Sequence, residues 1–203
     1  MKKALQYLSN KLGSKTSFLG LCLVCSGMIL SNPSQAQHEH HTNSPQAQQD
    51  TIKGSIQREV HQLVGENHFT LNYYAPAVRG RMIWGGLVAY DQVWVTGAHR
   101  ATNVEFTQAI RIDGKVIPAG KYAIFTIPEK KKWILILNTR WDQHLADEYN
   151  AAEDVIRLEV KPEKSKEFFE RLTYEIQEVS PEEGTIVVSW EKVSVHLDFT
   201  NVN

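Results

Sequence analysis

The sequence predicts an all-β domain, mainly an antiparallel β-sandwich, with one short α-helix near residues 163–172 packed on it. Short runs rich in Val, Ile, Thr, Tyr, Phe and Trp are separated by turns that contain Gly, Pro and Asn, a spacing typical of sheet proteins. Residues 55–203 form one continuous stretch of this kind, and a length of roughly 150 residues suits a single hydrophobic core.

The first 36 residues have the layout of a secretory signal peptide. Four lysines precede the apolar run 18–30, and the polar tract after it ends in Ser34 and Ala36, small residues that suit signal peptidase. The apolar run is shorter than the roughly 20 residues that span a bilayer. We therefore expect cleavage after Ala36, export to the periplasm or the extracellular space, and no membrane association afterwards.

Composition excludes several chemistries from the exported chain. Both cysteines, Cys22 and Cys25, lie in the predicted signal peptide, so disulfides, thiolate metal sites and cysteine nucleophiles are not expected. Removing that segment leaves 18 Lys and Arg against 23 Asp and Glu, a net charge of −5 with His neutral. An acidic domain without a stripe of basic residues is not expected to bind nucleic acid.

Residues 37–54 predict a disordered linker, because they are rich in Gln, His, Ser and Asn and almost free of large aliphatic side chains. They hold His38, His40 and His41, whose imidazoles are good ligands for copper, zinc or nickel. A flexible tail supplies no fixed coordination geometry. The segment is therefore either a weak divalent-metal trap or a solvated tail, and no other cofactor is predicted.

Strand signals follow in chain order. Residues 69–73 alternate apolar and polar side chains, and the Asp113-Gly114 pair joins two β-branched runs, which is a strong hairpin signal. A charged loop then joins strands predicted at 122–127 and 133–137. Together these segments predict an antiparallel meander.

The helix is predicted at residues 163–172. Pro162 occupies a favoured first-turn position, and Phe168, Phe169 and Leu172 supply an apolar stripe that would lie on the sheet.

The C-terminal run 185–199 changes phase. Its apolar residues occupy one parity before Glu191 and Lys192 and the other parity after them. Because the side-chain period of a strand is two, a bulge or tight turn is required at that point.

Arg79 and Arg81 flank Gly80 just after the first predicted strand. In an extended segment alternate side chains point the same way, so both guanidinium groups would clamp a carboxylate, sulfate or phosphate. The structural alternative is that they pair with acidic residues at a sheet edge or cover tryptophan faces.

All five tryptophans lie beyond the linker. Trp133 and Trp190 alternate with aliphatic residues and are predicted to be buried. Trp84, beside two glycines, and Trp141, in a polar loop, are predicted to be accessible, where they would stack on a carbohydrate or an aromatic ligand.

General acid and base residue types gather in two places, His99-Arg100 and Asp142-Gln-His144, the latter followed by further charged residues. A carboxylate pair at the right separation would hydrolyse a glycoside. The alternative is that the segment from Asp142 onward is an ordinary charged loop between two strands. No nucleophile elbow, phosphate-binding loop or dinucleotide fingerprint is present in the sequence.

One segment is more specific than any of these signals, and it spans residues 75–102 with paired arginines, two tryptophans and four glycines. With matching pieces up to Phe199, it resembles the DUF2911 family, a group of exported bacterial proteins of unknown function. The resemblance implies a signal-bearing, β-rich domain and brings no established activity, cofactor or catalytic residue. Its recognisable pieces include Val78-Arg-Gly-Arg81, Gly85-Gly-Leu-Val88, Val93-Trp94, Thr96-Gly-Ala98, Pro118-Ala-Gly-Lys-Tyr122 and Trp190-Glu-Lys-Val193.

The chain departs from this family pattern at four positions. Gln92 stands where relatives have lysine, Val95 where they have arginine, His99 where they have asparagine and Arg100 where they have glutamate. Either a family site has been altered here, or a structural network has been repacked.

These observations predict an exported, non-catalytic binding or structural module. Its candidate ligand is a small anion or a carbohydrate, with Arg79, Arg81, Trp84 and His99 expected around one concavity. The alternatives are a hydrolytic enzyme with an acid/base site near His99 and 142–144, or weak metal capture by the tail. The candidate ligand-binding residues are Arg79, Arg81, Trp84, His99, Arg100 and Trp141.

Overall fold

The computed structural model describes residues 54–202, which form two antiparallel β-sheets. The predicted signal peptide, both cysteines, the tail histidines and the linker up to residue 53 lie outside the described residues. Strand order is β1-β2-β3-β6-β7-β8 in the six-stranded sheet and β5-β4-β10-β9 in the four-stranded sheet. The strands are β1 (Ile56–Val64), β2 (Asn67–Ala75), β3 (Thr102–Phe106), β4 (Ile110–Ile112), β5 (Lys115–Ile117), β6 (Gly120–Pro128), β7 (Trp133–Asn138), β8 (Asp154–Val160), β9 (Glu163–Ser180) and β10 (Glu183–Asn201).

The core lies between the two sheets, so the predicted all-β sandwich is confirmed. Along β2, buried and less buried residues alternate, which sends Phe69 and Leu71 into the core as the sequence pattern predicts. The Phe69 ring meets Phe199 of β10 at 4.7 Å between centroids. Trp133 and Trp190 are both buried in this core, in agreement with the prediction.

The predicted helix at residues 163–172 is wrong, because this segment is the first half of β9. It pairs with β10 through Phe169 opposite Glu191 and Lys164 opposite Val193. Phe168, which a helical stripe would bury, is half exposed. Hydrogen bonding to a long neighbouring strand overrides the local helical pattern here. The only helical element in the described residues is the short 3-10 turn Ala151–Glu153.

The predicted phase change in the C-terminal run is confirmed. The register between β9 and β10 shifts on both sides of Glu191, which has φ 55°. Because of the shift, Trp190 before it and Val195 after it both reach the core. The bulge also brings the buried hydroxyls of Ser189 and Ser194 to 2.7 Å from each other, so both are satisfied.

The predicted hairpin at Asp113-Gly114 is confirmed as the two-residue connection between β4 and β5. Both residues have positive φ, 46° and 77°, as a type I′ turn requires. We expect Gly114→Ala to lower the free energy of unfolding by about 1 kcal/mol, because an added Cβ would meet no atom within 4 Å and only the backbone would be strained. Urea unfolding monitored by circular dichroism measures this loss.

Gly114→Asn is the matched control for that change, because asparagine tolerates the left-handed conformation better than alanine. It should recover part of the loss. Equal losses in the two variants would mean that backbone conformation is not the cause.

The segment between β2 and β3, which we call the crossing segment, pairs first with the four-stranded sheet and then with the six-stranded sheet, and it covers part of the outer face. Its first residues pair with β9, since the Val78 N–H donates to the Glu170 carbonyl at 2.7 Å. Further on, Trp94 exchanges two backbone hydrogen bonds with Thr126 of β6. Val95 then packs on Phe125 in a second, smaller apolar cluster on the outer face. This crossing segment carries most of the candidate site residues.

Candidate ligand-binding site

Arg79 and Arg81 lie in a tight turn and not in an extended segment. Arg79 and Gly80 have φ of 48° and 66°, and the Arg81 N–H donates to the Val78 carbonyl at 3.0 Å. The expected strand-like alternation is therefore wrong at this point. Both arginines nevertheless line the same cavity.

This cavity, which we call the arginine cavity, has a volume of about 600 Å³. His99 lies in its lining with the two arginines, and most of the remaining wall is apolar. Its volume falls within the range of roughly 300–1,000 Å³ found for small-molecule pockets. The apolar wall is formed chiefly by Pro76, Leu87, Val88, Trp94, Leu145 and Trp190.

The Arg81 guanidinium is held in place by backbone oxygens. Its Nε donates to the Val78 carbonyl at 3.2 Å and its Nη2 to the Ala77 carbonyl at 2.6 Å. No carboxylate between residues 54 and 202 pairs with it. Its remaining N–H groups and its positive charge are thus available at the cavity, since a guanidinium has five donors.

Arg79 is tied to its surroundings more extensively. Its backbone N–H donates to a carboxylate oxygen of Glu170 at 2.9 Å, and its Nη2 donates to the Gly54 carbonyl at 3.3 Å. The same carbonyl accepts from Nη1 of Arg171, which is buried on β9. Arg171 was not a sequence candidate, and only its place beside the crossing segment links it to this region.

Four tryptophans pack against one another beside the arginine cavity. Trp94 and Trp190 are nearly parallel with 5.8 Å between ring centroids, and Trp84 lies 4.8 Å from Trp133 and 5.9 Å from Trp190. Trp84, predicted to be accessible, is half-buried against the core and does not line the cavity. Four residues were expected around one concavity. Arg79, Arg81 and His99 line the arginine cavity, whereas Trp84 packs against Trp190 and does not line it.

The indole N–H groups of this cluster differ in their partners. Trp94 Nε1 donates to the Gly97 carbonyl at 3.1 Å. The Trp190 and Trp84 Nε1 atoms are buried and have no hydrogen-bond partner among the described residues. Trp190 is only 1% exposed and forms part of the cavity wall, and its Nε1 is enclosed by protein.

His99 has φ 63°, a conformation that histidine and asparagine adopt more readily than most residues. Its ring contacts Tyr74 edge-on at 5.2 Å between centroids, and its carbonyl accepts from the Leu145 N–H at 2.7 Å. These contacts place the imidazole between the arginine cavity and a second cavity. Tyr74 lines the second one.

Arg100 and Trp141 line that second cavity and not the first. Arg100 forms an ion pair with Asp142. Trp141 is 38% exposed, as predicted, and the Lys121 ammonium lies 4.3 Å from the centre of its ring. The six candidate residues are therefore divided between two neighbouring cavities and the tryptophan cluster.

The acid and base candidates lie close together in space. Arg100 pairs with His144 across a β-bridge, and His144 Nδ1 is 3.1 Å from a carboxylate oxygen of Asp147. All of these carboxyl and imidazole groups, with Glu148, are at least 60% exposed. Asp142 and Glu148 each pair with an arginine. Within residues 54–202, no group of three or more His, Cys, Asp or Glu side chains is placed to hold a metal ion.

The four departures from the family pattern have different surroundings. Val95 is buried and, like His99, lines the arginine cavity. Arg100 belongs to the second cavity, and Gln92 is exposed. Two of the four changes therefore alter the lining of the arginine cavity.

Comparison with known proteins gives a family and no activity. The model of a family described as a protein of unknown function, DUF2911, matches residues 55–199. No curated protein and no solved structure matches the chain. The described part of the chain also contains no helical segment with the length and hydrophobicity needed to traverse a bilayer.

Proposed function

We propose, for this chain that belongs to the DUF2911 family of proteins of unknown function, that it is an exported, non-catalytic binding domain. Its ligand is a small anion with an apolar portion, held in the arginine cavity. The observation that carries the proposal is the convergence of Arg79, Arg81 and His99 on one largely apolar cavity. A guanidinium fork matches the two oxygens of a carboxylate, and an apolar wall strengthens that pairing by excluding water.

Trp190 supports the same assignment. The cavity sets two requirements for a ligand, a charged group for the guanidinium groups and an apolar portion for the wall that Trp190 helps to form. The stacked indoles of Trp94 and Trp190 offer an apolar wall for the rest of the ligand. An aromatic or short aliphatic carboxylate satisfies both requirements better than an inorganic anion.

Binding is favoured over hydrolysis by the surroundings of the acid and base groups. An effective general acid or base in an enzyme usually has a pKa tuned by burial or by neighbours. Here Asp142, His144 and Glu148 are largely solvent-exposed, and the two carboxylates are held by arginines. Metal capture by His38, His40 and His41 stays a separate hypothesis, which deletion of residues 38–41 would test through copper or zinc uptake.

We expect Arg81→Ala to weaken binding of an aromatic carboxylate by about tenfold or more, because it removes a charge-assisted hydrogen-bond donor worth at least 1.4 kcal/mol. Isothermal titration with benzoate, phenylacetate and phenyl phosphate, and with sulfate for comparison, measures the effect. Thermal unfolding of the variant should stay close to that of the unmodified protein, since Arg81 is exposed.

Arg111→Ala is the matched control, because Arg111 is an exposed arginine on β4 that does not line the arginine cavity. It removes the same charge from the surface and should leave the affinity unchanged. Equal weakening in both variants would mean that Arg81 affects binding only through the net charge of the protein. Absence of binding by every organic anion tested would leave the domain with a structural role and overturn the proposal.

A further inference from the structure

A second cavity lies on the outer face of the six-stranded sheet, where four neighbouring strands present polar side chains. Gln57 of β1, Asn72 of β2, Asn103 of β3 and Lys121 of β6 line it, and Trp141 from the loop after β7 adds an aromatic wall. We call it the outer-face cleft. Its volume is about 240 Å³, below the usual range for drug-sized ligands, so it accommodates a group about the size of one ring.

Two carboxamides lie side by side in this cleft, since Asn72 and Asn103 are directly opposite each other in the β2–β3 register. The Asn103 Oδ1 is buried without a hydrogen-bond partner among the described residues, while its Nδ2 donates to the Ala101 carbonyl at 3.3 Å. The Asn72 side chain forms no hydrogen bond within residues 54–202. A carboxamide both donates and accepts, so this pair suits ligand hydroxyls, which do the same.

Trp141 gives the cleft an apolar surface beside these polar groups. Its indole is 38% exposed although it is one of the largest apolar side chains in the domain. The Arg100–Asp142 ion pair adjoins it and adds a donor and an acceptor with nearly balanced charge. A flat aromatic face next to several donors and acceptors fits a molecule with C–H groups on one side and hydroxyls at its edge.

We propose that the outer-face cleft is a saccharide-binding site that holds one sugar ring. The ring displaces the Lys121 ammonium, which lies 4.3 Å from the centre of the Trp141 ring, and stacks on that indole. A hydroxyl of the sugar forms a hydrogen bond with the Asn72 carboxamide, which lines the cleft. The site is separate from the arginine cavity, because the edge contact between His99 and Tyr74 stands between the two. It therefore does not depend on the anion-binding proposal.

Titration with glucose, galactose, N-acetylglucosamine and their tetrasaccharides tests this site. Binding is followed by the indole N–H resonances in nitrogen-15 spectra. We expect at least one of these sugars to shift the Trp141 signal, with an affinity in the millimolar range. Tighter binding of a tetrasaccharide than of its monosaccharide would identify a polysaccharide, and not a free sugar, as the preferred source of the ring.

Variants separate stacking from hydrogen bonding. Trp141→Ala should weaken binding by at least tenfold, whereas Trp141→Tyr keeps an aromatic face and should retain most of the affinity. Asn72→Leu should weaken binding while leaving the Trp141 wall in place, and an unchanged Trp190 resonance shows that this variant has kept its fold. Arg81→Ala, which affects only the arginine cavity, should bind sugars like the unmodified protein.

Two results would overturn this assignment. One is the absence of any shift of the Trp141 resonance with all of the sugars. The other is sugar binding that survives both Trp141→Ala and Asn72→Leu without loss. Neither result bears on the carboxylate titrations, so the two sites can fail independently.

Discussion

Replacing Trp190 with alanine is expected to lower the free energy of unfolding by about 3–5 kcal/mol, a large share of the stability of a domain of this size. Trp190 is the largest fully buried side chain of the described residues and packs against both Trp94 and Trp84. Truncation removes its apolar contacts and opens a void next to the arginine cavity. Guanidinium-induced unfolding, monitored by far-ultraviolet circular dichroism, measures the loss.

Two variants make that expectation specific. Trp141→Ala deletes the same side chain from an exposed position and should change stability by less than about 1 kcal/mol. Trp190→Phe keeps an aromatic ring, removes the unpaired indole N–H and should cost less than the alanine variant. Similar losses for Trp190→Ala and Trp141→Ala would contradict the assignment of Trp190 as the centre of the core.

The parts of the fold that the sequence predicts correctly have local causes. The Asp113-Gly114 hairpin depends on two adjacent residues that accept positive φ, and the phase change at Glu191 follows from the period of two within one strand. Burial of Trp133 and Trp190 follows from their alternation with aliphatic neighbours. In each case the signal and the structure it specifies lie within a few residues.

The helix prediction fails because its segment has a distant partner. Phe168, Phe169 and Leu172 satisfy a helical spacing, but the strand signal begins only with Leu172, Tyr174 and Ile176, which alternate and are all buried. That alternation predicts a strand only from Leu172 onward. The half from Glu163 to Glu170 gives no such signal, and only pairing with β10 makes it a strand.

The sequence predicts several residues of the candidate site, but it does not predict which of them lie together. The spacing of Arg79 and Arg81 around Gly80 indicates a shared site, yet a left-handed turn and not strand geometry brings them to one cavity. Trp190 reaches the same cavity from a strand more than a hundred residues further along the chain. Asp142 meets Arg100 in the same long-range manner. No local pattern encodes contacts of this kind.

Alkaline pH is expected to destabilise this domain steeply, because burial raises the pKa of several tyrosines. Desolvation is the main cause for Tyr73 and for Tyr174, which is fully enclosed. For Tyr149, desolvation and then a hydrogen bond to Asp154 raise the pKa to about 12. The folded protein therefore keeps these phenolic protons at a pH where the unfolded chain has released them.

The sign follows from proton binding. Below pH 10, the ordinary pKa of tyrosine, both states are protonated and the stability is fully present. Above it, stability falls by about 1.4 kcal/mol per pH unit for each tyrosine whose folded pKa has not been reached. Urea unfolding from pH 8 to pH 12 should show this slope. A midpoint that stays constant over the range would contradict it.

Tyr174→Phe separates the buried tyrosine from other alkaline effects. At neutral pH it should cost about 1 kcal/mol, because the hydroxyl donates to the Thr96 carbonyl at 3.0 Å. Above pH 10 its stability should fall less steeply than that of the unmodified protein, so the two curves converge.

Lys132→Met is the comparison, since the pKa of Lys132 is raised by its hydrogen bond to Glu159 on the surface. If that variant alone flattened the curve, surface ion pairs and not buried phenols would control the alkaline limit of this fold.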